Sequence, residues 1–444
     1  MPGNDSGKTE AGWRLVLRAL QSRNYRLFFS GQTISLIGTW MTRIATAWLV
    51  YRLTHSAFLL GVVGFAGQIP TFFLGPFAGV WVDRWNRHRT LVVTQVLSML
   101  QSFALAALAL RGTITIADIL CLSLAQGLIN AFDMPARQAF VVQMIEKRED
   151  LGNAIALNSS MVHVARLLGP SIAGVVIAAV GEGYCFLIDG FSYIAVILSL
   201  LAMRIVPIPQ TGTDKAVLHD LKEGWRYATG SVPIRSILLL LALVSLVGMP
   251  YTILMPIFAG AVLHGGPHTL GFLMGASGAG ALLGAMWLAA RRSVLGLDRV
   301  VCIAAAIFGA GLIGVGFSRL LWLSLLLMPI AGGAMMQQAA ASNTILQTIV
   351  HEDKRGRVMS FFSMAFMGMT PFGSLLAGSL ASKIGAPKTL ILGGAICILG
   401  AGWFAHHLPT IRELVGPIYR ERGIIPGVAR GVESTAVLRT PPEE

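Results

Sequence analysis

Gly79-Val80-Trp81-Val82-Asp83-Arg84-Trp85-Asn86-Arg87-His88-Arg89 is the stretch whose reading decides the fold. Apolar runs flank it, roughly 57–82 before and 90–110 after, and each reaches the ~20 residues that a bilayer-crossing helix needs. So short a charged interval between two such runs marks a turn of the chain at a membrane surface. Reading outward in the same way gives spans at roughly 27–51, 57–82, 90–110, 114–134, 153–180 and 183–203. A second group follows at roughly 234–258, 268–290, 299–317, 320–349, 358–381 and 388–408. Between the groups lies the most polar interval, with Pro207, Pro209, Thr211 and Gly212 ahead of an amphipathic stretch from Leu218 to Tyr227. The expected organisation is therefore a cytoplasmic segment 1–26, a six-helix bundle 27–204, a cytoplasmic linker with an amphipathic helix 205–233, a second bundle 234–408 and a cytoplasmic tail 409–444.

Composition agrees with lipid as the main solvent. Hydrophobic residues make up 55% of the 444, charged residues only 12%, too few to cover a soluble domain of this size. The 50 glycines suit closely packed membrane helices. A net charge of +13 raises nucleic acid as a partner, but the charges sit in short clusters between apolar runs, which excludes it. Cys121, Cys185, Cys302 and Cys397 lie inside apolar stretches without metal-ligand spacing, so no metal and no cofactor is expected. No cleavable apolar core precedes the first span.

Orientation follows from the basic residues. Of the 34 Lys and Arg, Arg43 and Arg166 fall inside spans, and Arg52, Arg111, Arg319, Lys383 and Lys388 fall in one set of loops. The other 27 fall in the opposite set, together with both termini, and that set is expected to be cytoplasmic.

The two groups of spans also resemble each other. An offset of 204 pairs Gln143 with Gln347, Ile145 with Ile349, Gly152 with Gly356 and Ser159 with Ser363. It also pairs Gly169 with Gly373, Ala173 with Ala377 and Gly174 with Gly378, equating the fifth span with the eleventh.

Gly79-x-x-x-Asp83-Arg84-x-Asn86-Arg87-x-Arg89 resembles the signature loop of the major facilitator superfamily, with Asn86 where the family has a second glycine. Asn tolerates a left-handed turn, so the departure is compatible with the fold. The resemblance implies an all-α membrane protein of twelve transmembrane helices in two six-helix repeats. It also implies a cytoplasmic gate in which Gly79, Asp83, Arg84, Arg87 and Arg89 latch onto Arg355 and Arg357 at the start of the eleventh span. Arg23 to Gln32, Ile37 to Trp40, Pro135 to Phe140 and Arg355 to Ser360 are similar to exporters related to the enterobactin-exporter group. Ala165-x-x-x-Gly169-Pro170-x-x-Ala173-Gly174 resembles the antiporter motif of drug-exporting facilitators, with two of its glycines replaced by Ala.

Ionisable residues at membrane depth are costly, which makes each a site candidate. Arg43, His163, Arg166 and Asp189 qualify, and Asp133 stands at the inner end of the fourth span with Asn130 one turn above it. A pair between Arg43 and Asp189 is compatible with their depths. Arg43 and Arg166 are expected to line the cavity and favour an anionic or electron-rich substrate, with His163, Asp133 and Asp189 as candidate proton carriers. Gln338 and Asn343, on a Met-rich and polar face of the tenth span, are candidates for gripping a large amphipathic substrate. Gly309, Gly311 and Gly314 spell a dinucleotide fingerprint but lie within an apolar span.

The function expected is proton-coupled export of a small organic molecule (a siderophore, drug or secondary metabolite) by a monomer in the bacterial cytoplasmic membrane. An importer on the same fold and a non-transporting scaffold are the alternatives. A pump driven by ATP is excluded by the absence of a phosphate-binding loop, and catalysis by the scatter of the nine His residues.

Overall fold

The computed structural model describes residues 17–205, 217–291, 293–422 and 424, without the side chains of Pro76, Asp83, Arg148 and 217–222. Every regular element among them is helical. Helix α1 is Arg23–Thr54, and α2 comprises two pieces, Ala57–Ala66 and Ile69–Arg84, broken at Gly67 ahead of Pro70. Then come α3 (Arg87–Leu110), α4 (Ile116–Met144), α5 (Leu151–Val180) and α6 (Glu182–Leu201). The linker helix is Val217–Gly230. The second group is α7 (Val232–Val262), α8 (Pro267–Ala289), α9 (Leu297–Phe317), α10 (Leu321–Ile349), α11 (Glu352–Ile384) and α12 (Ala386–Glu421).

Eleven of these helices are long and apolar enough to cross a membrane. The remaining one, α1, has 32 residues, but Arg23, Arg26, Arg43 and Arg52 lower its hydropathy. It is nonetheless packed against α5 and α6, with Ala45, Leu49 and Val50 fully buried.

Three expectations need correction. Helix α4 does not stop near 134 but continues through Pro135 to Met144, so the segment Pro135 to Phe140 is helical and buries Ala136 and Phe140. Asn86 is not left-handed: at φ −69° it caps α3, its side chain accepting from the Arg89 N–H at 3.1 Å. The tail does not begin at 409, because α12 runs through Pro409 and Pro417 to Glu421. Ile411 and Val415 are buried there, Arg412 pairs with Asp298, and Arg422 donates to the Val350 carbonyl at 3.0 Å.

The repeat reappears in three dimensions. Both α5 and α11 end on a positive-φ glycine, Gly181 at φ 92° and Gly385 at φ 87°, each bonding back four residues to Ile177 or Ala381. Only glycine enters this backbone region without strain. Gly174 of α5 packs on Gly271 of α8, and its counterpart Gly378 of α11 packs on Gly61 of α2. Gly169 abuts Trp40 of α1, while Gly373 abuts Leu246 and Pro250 of α7. The same small residues thus make equivalent contacts in both halves, as parallel repeats require.

These two glycine crossings join the halves, α5 to α8 and α2 to α11, on the face away from the basic loops. Tyr51 of α1 against Gly260 of α7 adds a third contact on that side. Contacts across the seam continue to mid-depth, where Gly278 of α8 meets Arg166 of α5 and Gly368 of α11 meets Phe72 of α2. No described atom lies within 4 Å of where a Cβ would sit on Gly75, Gly79, Gly152 or Gly356.

Candidate functional site

Helix α1 organises the first cluster. It faces α6 through Gly31, Gly38 and Thr42, and α5 through Ile37 and Trp40. Arg43 points along the arc left between these contacts. It is exposed even though it lies eleven residues before the end of α1, about 16 Å at helical rise. A lipid-facing guanidinium at that depth would be costly, which favours a recess inside the bundle as the space it meets. The Arg43 guanidinium sits 4.9 Å from the centre of the Trp40 ring. Arg166 of α5 lies 5.8 Å from the same ring, half-buried. His163 stands one turn away on α5, with its Nδ1 buried and without a hydrogen-bond partner. The sequence reading expected Arg43 and Arg166 to line the cavity and His163 to carry protons; the structure sets both guanidiniums beside one ring, with His163 one turn from Arg166. Trp40, which ties the two arginines together, carried no signal beyond its place in a quoted segment.

Asp189 does not pair with Arg43. It is 1% exposed and accepts from Thr42 Oγ1 at 2.8 Å and Ser102 Oγ at 2.9 Å, joining α6 to α1 and α3. Its Oδ1 has no partner. That oxygen lies where a Cβ on Gly38 would come within 2.7 Å, so the approach of α1 to α6 depends on glycine at this position. Tyr193, one turn along, is buried with its hydroxyl 3.4 Å from Thr39 Oγ1. Among the described residues no cation pairs with Asp189, and its other titratable neighbour on α6 is the buried Cys185.

Asp133 belongs to a separate network. It accepts from Thr94 Oγ1 and Gln95 Nε2, both at 2.8 Å, and pairs with Arg137 one turn along α4. A buried carboxylate with two neutral donors and a guanidinium is a satisfied structural pair. Asn130 does not join it and instead accepts from Gln126 Nε2 at 3.1 Å.

In the second half the expected polar face of α10 divides. Gln338 is 1% exposed and Ser342 is fully buried among apolar residues, with Gln338 Nε2 and Ser342 Oγ lacking partners. Gln338 therefore does not line an open recess. Asn343 is half-buried and accepts from the exposed Gln347 at 2.6 Å. Counted from the starts of two 29-residue helices, Gln338 occupies in α10 the place of Asp133 in α4. The carboxylate network of the first half thus has no acidic counterpart in the second.

At the basic face, the side chain of Asp83 lies outside the described residues. Arg84 and Arg89 are exposed and Arg87 is half-buried. Among the described residues Arg355 pairs with Glu352 of its own helix, at 3.6 Å. Arg357 reaches Glu223 of the linker helix at 2.8 Å, and Lys354 pairs with the same carboxylate. Trp225 and Phe361 add a ring contact at 5.8 Å between the same helices. Glu223 is a residue that sequence reading missed, because nothing in its own segment points to α11.

Helix α5 carries the motif read as antiporter-like. Gly169, Pro170 and Gly174 are all buried, and a Cβ on Gly271 would fall 2.6 Å from the Pro170 carbonyl. One segment thus packs on α1 within its own half and on α8 across the seam.

Known proteins share this architecture. The chain is 29% identical over 385 residues to the staphyloferrin A transporter of Staphylococcus aureus, covering 85% of this chain and 95% of that protein. It is 28% identical over 390 residues to the multidrug efflux pump Tap of Mycolicibacterium fortuitum, covering 85% and 93%. Among solved structures, a bacterial homologue of the iron transporter ferroportin in an inward-facing state superimposes with a TM-score of 0.68 at 15% identity, over 86% of this chain and 98% of that one. That likeness concerns the fold. Residues 16–415 match the family model described as transmembrane secretion effector, and the chain belongs to this family of multi-pass major facilitator transporters.

Proposed function

We propose that this protein exports a small organic molecule across the bacterial cytoplasmic membrane by alternating access, with both termini in the cytoplasm. The observation that carries the reading is the seam. The halves meet through pseudo-equivalent glycine crossings on the face away from the basic loops, while at the basic ends of α2, α5 and α11 no described atom lies within 4 Å of a Cβ built on Gly79, Gly152 or Gly356. Two rigid bundles joined in this way can rock about a central site. The excess of basic residues in those loops supports a cytoplasmic location for the open side, and the efflux named for Tap supports the outward direction. In the opposite state, Asp83 would latch onto the start of α11, where Arg355 and Arg357 stand.

Proton coupling is assigned to Asp189. It is enclosed by hydroxyls, has no cation partner among the described residues, and hangs from Thr42, the neighbour of Arg43 on α1. Gain or loss of a proton there changes the bonding of α1 to α3 and α6. Asp133 is a poorer carrier because Arg137 already neutralises it.

The test uses full-length protein in liposomes, with a panel of dyes, antibiotics and catecholate compounds. Wild type should concentrate a substrate against its gradient when a pH gradient is imposed. Asp189→Asn should lose that accumulation yet retain substrate exchange at equal pH on both sides. Accumulation by Asp189→Asn at the wild-type level would remove the proton from this site.

A further inference from the structure

From the placement of Arg43 and Arg166 on one indole ring, we infer that the recess takes an organic dianion, a small molecule carrying two carboxylate-type acidic groups. The inference rests on the export reading only in taking the recess as the site of the transported molecule.

Three observations carry it. First, neither guanidinium has a hydrogen bond or an ion pair among the described residues, and both lie beside the Trp40 ring. Arg43 faces the recess and Arg166 is half-buried beside it. A cation over an aromatic ring gains well short of what removing a charge from water costs. Two like charges on one ring also repel, so the empty arrangement lacks an anion.

Second, the acids that could neutralise them are committed elsewhere. Asp189 is held by Thr42 and Ser102, and Asp133 by Arg137, Thr94 and Gln95. A rotamer change at either acid would break a buried network to satisfy an arginine. The ligand is the cheaper source of negative charge.

Third, the two guanidiniums stand close enough together for two acidic groups of one small molecule to meet both. With the guanidinium carbons 4.9 Å and 5.8 Å from a single ring centre, they stand at most about 11 Å apart. Each planar guanidinium presents a fork that matches a carboxylate with two parallel hydrogen bonds. A monoanion would leave one guanidinium unneutralised, and a neutral or cationic molecule would leave both.

The probes are glutarate, monomethyl glutarate and dimethyl glutarate, which carry two, one and no free carboxylates on the same carbon chain. Binding is measured calorimetrically on the full-length protein in lipid nanodiscs at low ionic strength. Glutarate should bind wild type about tenfold or more tighter than the monoester, with the diester weakest, since each charge-assisted pair is worth roughly a factor of ten. Arg43→Gln and Arg166→Gln should each reduce the glutarate affinity by about tenfold and bring the diacid-to-monoester ratio close to one. Arg166→Lys, which keeps the charge without the fork, should fall between.

Equal binding of glutarate and its monoester to wild type overturns the proposal without recourse to any variant. So does an unchanged glutarate affinity in both glutamine variants. The two readings fail separately. A diacid preference in a protein that transports neither the panel nor glutarate removes export and leaves the anion site. Efflux of dyes by wild type and both glutamine variants alike, without a diacid preference, removes the anion site and leaves export.

Discussion

Gly61→Ala is the substitution that most directly probes the seam. Gly61 stands where α2 crosses α11, and an added Cβ would fall 2.6 Å from the Ser374 carbonyl oxygen and 3.0 Å from the Gly378 Cα. Both neighbours are backbone, so no side chain can swing aside, and the helices must separate by about 1 Å to restore ordinary contact. Overpacking of this kind costs about 1–3 kcal/mol. That cost applies only while α2 and α11 touch at this point. The population ratio between the closed state and the state open on that face should therefore shift by roughly 5- to 150-fold toward the open one. The assay places nitroxide labels at Arg111→Cys and Arg319→Cys, exposed loop positions in opposite halves, in a background lacking the exposed Cys121. Double electron–electron resonance should then show a longer distance gaining weight over the one found in the parent. Gly356→Ala is the control, since nothing lies near its Cβ position. An unchanged distance distribution in Gly61→Ala would refute the steric reasoning, as would an equal change in the control.

Asp133→Asn leaves the Arg137 guanidinium without its counter-ion in a largely buried network and should destabilise the purified protein by about 1–3 kcal/mol, read as a lower melting temperature. Its transport under a pH gradient, per folded molecule, should be retained, and complete loss would reassign the coupling acid. Ile411→Ala opens a gap beneath the extension of α12 at a residue 3% exposed and should cost about 2–3 kcal/mol, whereas Glu413→Ala on the exposed side should be neutral in the same thermal scan. Glu223→Gln should change the melting temperature little, because partly exposed ion pairs contribute about 0–1 kcal/mol. It should nonetheless accelerate tryptic cleavage after Arg226, since Lys354 and Arg357 would no longer hold the linker helix to α11.

The spans were readable in the sequence because lipid imposes one rule on every crossing segment, a long apolar run with its backbone bonds satisfied internally. That rule located the crossings, the polar linker and the basic loops, and glycine spacing disclosed the repeat that Gly181 and Gly385 later matched in backbone angle. It failed where hydropathy ceases to mark helix limits. Polar residues end the apolar run of α4 before Met144 and of α12 before Glu421, yet nothing there ends the helix, and packing against neighbours carries both onward.

Pairing of the buried charges was decided only in three dimensions. Depth along a helix can be counted from sequence, and it brought Arg43 and Asp189 to similar levels. The direction in which each faces depends on how α1 settles between α5 and α6, and that is set by close approaches at Gly38 and Gly169. With the helices so placed, Asp189 turns to Thr42 and Ser102, and Arg43 turns to Trp40 and the recess. Sequence by itself determined which residues are too costly to bury without a purpose; the packing of small residues determined which partners they found.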